Sequence, residues 1–335
     1  MIQPAMRFFT KLTGQAFVGV TLLSLSPLPV LSPSVDDLPP GVRAHKAGRY
    51  ELSVKLDDAK HAKEGILGEL IIPPGVTGPV PAIVFVHGNT RLKKYYKTAA
   101  NFLVQQAALK KTIILSVQNW WPLSGDHLEG TEESRRGVNI LVNRLANAGI
   151  IQKDKVFLSG FSAGGLVIVS AFLHGIDQLQ FEPYKQKLAT TMASAIDASK
   201  KTVEEYYYTV LNPGKEAGFF PYAGFISIKG NFYNKYFPAD PLMAGEDRRK
   251  FTGPFTWDKK IVLTVGGDRE AKDVKLEVPA LREYLKREWG AKLDYHEYGD
   301  GVHDIEKTDQ DLLWSMVLDP IPVPVPENKQ SVAAR

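Results

Sequence analysis

Residues 156–170 read Val-Phe-Leu-Ser-Gly-Phe-Ser-Ala-Gly-Gly-Leu-Val-Ile-Val-Ser. A β-branched, apolar run leads into Gly160-Phe161-Ser162-Ala163-Gly164, and an apolar helical pattern follows. Strand, sharp turn and helix in this order constrain the chain more than any other segment does. A turn this tight forces the backbone of Ser162 into a strained conformation, which only small neighbours tolerate. Gly160, Ala163, Gly164 and Gly165 supply them. The Ser162 hydroxyl is then expected at the carboxyl end of the strand, above the start of a helix. A serine presented in this way can act as a nucleophile.

The surrounding pattern gives the fold class. Apolar runs at Val80–Val86 and Lys111–Val117 read as buried central strands, and Lys155–Leu158, Gly224–Ile228 and Lys260–Val265 read as further strands. Tyr50–Leu56, Ile66–Ile72 and Leu293–Tyr298 add further strands. Helical spacing is expected over Tyr95–Ala108, Thr131–Ala148, Val274–Trp289 and Asp304–Leu318. Thr131, followed by Glu132 and Glu133, suits a helix N-terminus. Strands alternating with helices imply right-handed crossovers and a mostly parallel central sheet flanked by helices, an α/β fold. Ligands of such sheets bind at the carboxyl ends of the strands.

Other segments mark boundaries. Residues 1–34 begin weakly basic (Arg7, Lys11), and residues 15–31 are apolar and uncharged, as in a secretory signal peptide. Small residues at Ser32-Pro33-Ser34 place an expected cleavage after Ser34, without an Ala-x-Ala site. The run is short for a membrane span and contains Pro27 and Pro29. An uncleaved N-terminal anchor is the alternative. Residues 35–49 read as a linker and 50–318 as the domain. The stretch 175–221 is far longer than an ordinary connection and reads as a helical insertion over the sheet's carboxyl edge. The tail at 319–335 is Pro-rich and reads as extended.

Composition excludes several classes. There is no cysteine, hence no disulfide, thiolate nucleophile or Cys-based metal site. The 41 Lys and Arg are interspersed with 37 Asp and Glu for a net charge of +4, so no basic stripe suggests nucleic acid. Neither a Gly-rich phosphate loop nor a His/Asp cluster at metal spacing is present. No metal or organic cofactor is expected.

A serine hydroxyl needs a general base, and the base needs an acid to fix its tautomer. Of seven histidines, His303 lies in a loop after the last strand, between Gly301 and a helix, and can swing towards Ser162. His45 and His61 precede the core strands, His174 ends the helix after Ser162, and His296 alternates within a strand. His87 follows the Val80–Val86 strand and is expected to hold its loop rather than to react. For the acid, Asp268 follows Val-Gly-Gly at a strand end. Glu270 and Asp273 are nearby alternatives, and Asp240 and Asp247 are weaker ones. Oxyanion donors are expected from the backbone amides of Ala163 and Asn89. Trp120 and Trp121, directly after a strand, and His127, in a glycine-bounded loop, are the candidate substrate contacts.

The order Ser162, Asp268, His303 resembles the α/β-hydrolase family, in which the triad runs Ser, Asp or Glu, His along the chain. His87-Gly88, Gly160–Gly165, Gly266-Gly267-Asp268 and Gly301-Val302-His303 carry the resemblance, which covers about residues 50–318. Gly-Phe-Ser-Ala-Gly-Gly is similar to secreted polyhydroxybutyrate depolymerases and feruloyl esterases. It is also similar to dienelactone-hydrolase-like proteins, whose nucleophile is a cysteine that this chain lacks. The resemblance implies a serine esterase acting on a small-molecule or polymer-borne ester through an acyl-enzyme. A membrane would be involved only if the N-terminal segment stays uncleaved. A serine peptidase of the same fold and a non-catalytic binding protein are the alternatives.

Overall fold

The computed structural model describes residues 38–56, 59, 65–88, 100–119, 127–173, 220–232, 259–289, 291–299 and 301–318. The expected signal segment, the insertion up to residue 219 and the Pro-rich tail lie outside them. So do Asn89, Trp120 and Trp121.

Alternation of strand and helix builds one sheet. Its strands are β1 Gly48–Val54, β2 Ile66–Ile72, β3 Val80–Val86, β4 Ile113–Asn119, β5 Ile151–Phe161, β6 Gly224–Ile228, β7 Lys260–Val265 and β8 Asp294–Glu297. Their order in the eight-stranded sheet is β1-β2-β4-β3-β5-β6-β7-β8. β2 runs antiparallel to both neighbours, and the pairings from β4 to β8 are parallel. This is the mostly parallel sheet flanked by helices that the sequence implies.

Period-two alternation explains how the sheet is covered. Along β3, Ala82, Val84 and Val86 point to one face, and Ile83 and Phe85 to the other. The first face packs on Val138, Leu141 and Leu145 of α3 (His127–Asn147). It also meets the helix at 164–173, here α4, and Val274, Val278 and Leu281 of α5 (Lys272–Trp289). The second face packs on Leu103 and Ala107 of α2 (Asn101–Lys110) and on Leu313, Trp314 and Val317 of α6 (Lys307–Leu318). With both faces buried, the central strands have to be the continuous apolar runs seen in the sequence.

Some expectations shift. The range 35–49 is not simply a linker. Pro40–Arg43 forms the short helix α1, β1 starts at Gly48, and Leu38 and Val42 are buried in the core. Two apolar side chains among Pro and Gly sufficed to anchor a stretch whose composition reads as loop. α3 starts at His127, so His127 opens a helix instead of lying in a loop, and Thr131 is buried one turn in. Two internal glycines, Gly130 and Gly137, did not break the helix; each costs about 1 kcal/mol, which packing overrides. β5 begins at Ile151, four residues before the apolar run, because it continues along the exposed Lys153-Asp154-Lys155.

Candidate active site

Every loop that matters leaves the same edge of the sheet. β3 ends into His87 and Gly88, β5 into Ser162, β6 into Lys229–Asn231, β7 into Gly266–Glu270, and β8 into the loop carrying His303.

Ser162 sits where the sequence places it, between β5 and α4, with a left-handed φ of 52°. For a residue other than glycine this conformation costs on the order of 1–3 kcal/mol and persists only when its surroundings impose it. They do so here. The Ser162 amide donates to Ile228 O at 3.0 Å, and Ser162 O accepts from the Asn231 amide at 3.0 Å. Gly164 is required beneath the turn, because a Cβ there would overlap the carbonyl oxygens of Val86 and His87. The elbow can therefore press against the end of β3.

His303 Nε2 lies 2.9 Å from Ser162 Oγ, and its Nδ1 lies 2.6 Å from Glu270 Oε1. The imidazole also packs against the Phe161 ring, with centroids 5.1 Å apart. Glu270 is buried. Its Oε2 accepts from the Gly266 amide at 3.0 Å, and its Oε1 also accepts from the Ala271 amide at 2.8 Å. Burial alone would push this carboxyl up. The His303 hydrogen bond, the two backbone amides and the His303 charge outweigh it, and the group is held below the ordinary carboxylate range. Glu270 is thus an anion facing Nδ1. In that position it favours the tautomer with the proton on Nδ1 and leaves Nε2 free to accept from Ser162.

The acid expected at Asp268 is corrected to Glu270. The Asp268 side chain is 96% exposed, and its charged neighbour is Lys275 at 3.9 Å. The reason is the turn after β7. A Cβ on Gly267 would overlap the carbonyl oxygens of Tyr298 and Gly299, so this glycine lets the loop dock directly on the end of β8. The docking is recorded by Tyr298 N to Val265 O at 3.1 Å and by the bridge between Arg269 and Val302. It directs residue 268 outward and returns residue 270 to the histidine. Asp273, the other alternative, also stays off His303 and accepts from Asn231 Nδ2 at 2.7 Å.

His87 has the holding role expected of it. Its ring nitrogens lie 2.6 Å from Gly88 O and 3.2 Å from Gln118 O, joining the ends of β3 and β4. Burial pushes its pKa below 6.5, against the smaller opposing effect of those two contacts, so the neutral ring is favoured. The Ala163 amide lies at the entrance to α4, among the helix-start amides that lack an intrahelical acceptor. Its expected oxyanion partner Asn89 and the expected substrate contacts Trp120 and Trp121 fall outside the described residues.

Lys229 escaped the sequence reading. It is fully buried, with φ 48°, and its Nζ donates to Val302 O at 2.7 Å and to Asp304 O at 2.6 Å. These two carbonyls flank His303. Glu306 at 3.1 Å and Asp309 at 3.7 Å balance the charge. The ammonium therefore fixes the histidine loop from below. The only signal in the sequence was a lysine directly after the mostly apolar strand Gly224–Ile228. Among the described residues, no cluster of His, Asp or Glu could hold a metal ion.

No family model matches the chain, and no curated protein matches it by sequence. Solved structures with a similar arrangement include a bacterial heroin esterase, 12% identical over 86% of this chain and 85% of that one, TM-score 0.49. An esterase from Pyrobaculum calidifontis is 11% identical over 82% and 87% of the two chains, TM-score 0.48. S-formylglutathione hydrolase from Staphylococcus aureus is 12% identical over 81% and 97%, TM-score 0.46.

Proposed function

We propose that this protein is a serine hydrolase that cleaves a carboxylic ester through an acyl-enzyme. One observation carries the reading: the hydrogen-bonded chain Ser162 Oγ, His303, Glu270, built on a serine in a left-handed backbone conformation. Ser162 Oγ attacks the ester carbonyl carbon while its proton passes to His303 Nε2. The buried Glu270 carboxylate stabilises the imidazolium that results. The amide of Ala163, with that of Asn89, receives the charge on the carbonyl oxygen. Collapse breaks the bond to the alkoxy group, which takes the proton from Nε2 and leaves as the alcohol. Water then attacks the acyl-enzyme, His303 accepts its proton and returns it to Ser162, and the acid departs.

The test is hydrolysis of p-nitrophenyl acetate and butyrate by the wild type and by Ser162→Ala, with fluorophosphonate labelling alongside. Turnover and labelling are expected in the wild type and lost in the variant, by about 10⁴-fold or more in kcat. A wild type that neither turns over nor labels would overturn the reading.

Export is part of the same proposal. It rests on the uncharged apolar run at 15–31 behind Arg7 and Lys11. Recovery of mature protein beginning near Val35 outside the cytoplasm is the expected result of fractionation and N-terminal sequencing. Retention of full-length chain in the cytoplasm would remove it.

A further inference from the structure

Ser162 Oγ has a second polar neighbour besides the histidine. It donates to Asn231 Oδ1 at 3.1 Å, while His303 Nε2 stands at 2.9 Å. The hydroxyl carries one proton and faces two acceptors. Asn231 is buried and follows β6 by three residues, and its contact with Ser162 spans 69 positions of sequence.

The orientation of the Asn231 amide follows from its other partner. Its Nδ2 donates to Asp273 Oδ2 at 2.7 Å, and a carboxylate only accepts. Turning the amide over would set two oxygens against each other, so Oδ1 has to face the serine. The residue itself is held at both ends. Its own amide donates to Ser162 O. On one side Lys229 is tied to Val302 and Asp304, and on the other the Phe232 amide donates to Glu277 Oε2 at 2.7 Å. Asn231 is therefore a rigid post with one polar atom aimed at the reacting oxygen.

We infer that Asn231 is a further catalytic residue of this site, one that aims the serine hydroxyl, and that Asp273 is a positioning residue acting through it. The inference rests on the serine-hydrolase reading above. Oγ is fixed between Nε2 and Oδ1, which selects one rotamer about the Ser162 Cα–Cβ bond and leaves the remaining direction of the oxygen open to substrate. During attack the proton passes to Nε2, the bond to the acyl carbon forms, and the contact with Oδ1 is left behind. Asn231 neither takes nor gives a proton. Its contribution is alignment, and misplacement of about 1 Å can cost on the order of 100-fold.

Asn231→Leu removes the acceptor at similar volume and keeps the backbone bond to Ser162 O. The expected result is a fall of about 10- to 100-fold in kcat for p-nitrophenyl acetate and in the second-order rate of fluorophosphonate labelling, with KM within about threefold of wild type. Asp273→Asn, on an exposed side chain, is expected to lower both rates by about 3- to 10-fold, since the amide can then turn over. If Asn231→Leu unfolds well below the wild-type temperature, Asp273→Asn decides alone. Rates at or above wild type, or a rise in KM at constant kcat, overturn the inference while leaving the hydrolase reading intact. A wild type that does not label overturns both.

Discussion

At the scale of single residues, the pairing of acid and base decides between two carboxylates two positions apart. Glu270 is buried against His303 Nδ1, and Asp268 is solvated beside Lys275. Glu270→Gln retains size but puts an amide where a carboxylate accepts from the Ala271 amide and from His303. The ring then loses the partner that fixes its tautomer. A loss of about 10³- to 10⁴-fold in kcat is expected, the scale seen when a triad acid is neutralised. Asp268→Asn should leave kcat within about twofold, because an exposed ion pair contributes little. Steady-state kinetics of the two variants side by side checks this, and the reverse ranking would return the acid to Asp268. The error in reading Asp268 from sequence has a definite cause. Gly266-Gly267 marks the end of β7, but how many residues the chain needs to turn back depends on the distant carbonyls of Tyr298 and Gly299. Asn231 was hidden for the same reason. Its partner lies 69 residues away, and an asparagine after a strand otherwise reads as an ordinary turn.

At the scale of elements, the sequence was most legible where burial is most complete. β2, β3, β6 and β7 have the bounds read from their largely apolar runs, because strands covered on both faces are dominated by apolar residues. Legibility fell where an element continues along an exposed edge, as at the start of β5, or tolerates an internal glycine, as in α3. The loops are held by a different device, which composition conceals: a buried cation. Lysine is almost never fully buried without partners, and Lys229 has them in Val302 O, Asp304 O, Glu306 and Asp309. Asp309 is itself fully buried and also accepts from Tyr298 Oη at 2.9 Å. Lys229→Met would leave that carboxylate without its cation and the two carbonyls beside His303 without their donor. The expected destabilisation is about 3–5 kcal/mol. Denaturant unfolding measures it, and a loss below about 1 kcal/mol would show that the lysine is not what holds the loop. Activity should fall in the surviving folded fraction as well, since the base is no longer held on line with Ser162.

At the scale of the whole molecule, ionisable groups buried at separate places set one common range of stability. His87, between β3 and β4, is pushed below 6.5 by burial, so the unfolded chain binds a proton there that the folded protein refuses. Glu270 is held below the ordinary 4.5, with burial opposed and outweighed by the His303 hydrogen bond, the Ala271 and Gly266 amides and the His303 charge together, and it acts with the same sign at lower pH. Both contributions are fully present above the unfolded values and are lost as pH falls through them towards the folded values. Tyr222, buried and donating to Asn139 Oδ1 at 2.7 Å, is pushed above 10 by burial. Tyr298 is pushed the same way by burial and by Asp309. These phenols keep their protons in the folded protein where the unfolded chain gives them up, so their contribution is lost as pH rises past 10. Stability should therefore be highest between about pH 6.5 and 10 and fall on both sides, each group adding a slope of at most about 1.4 kcal/mol per pH unit. Denaturant unfolding across pH 4–11 tests the profile. Tyr222→Phe separates a local cause from general charge repulsion: it should shallow the alkaline limb and leave the acid limb unchanged. An alkaline limb of unaltered slope in that variant would show that the buried phenol does not set the upper bound.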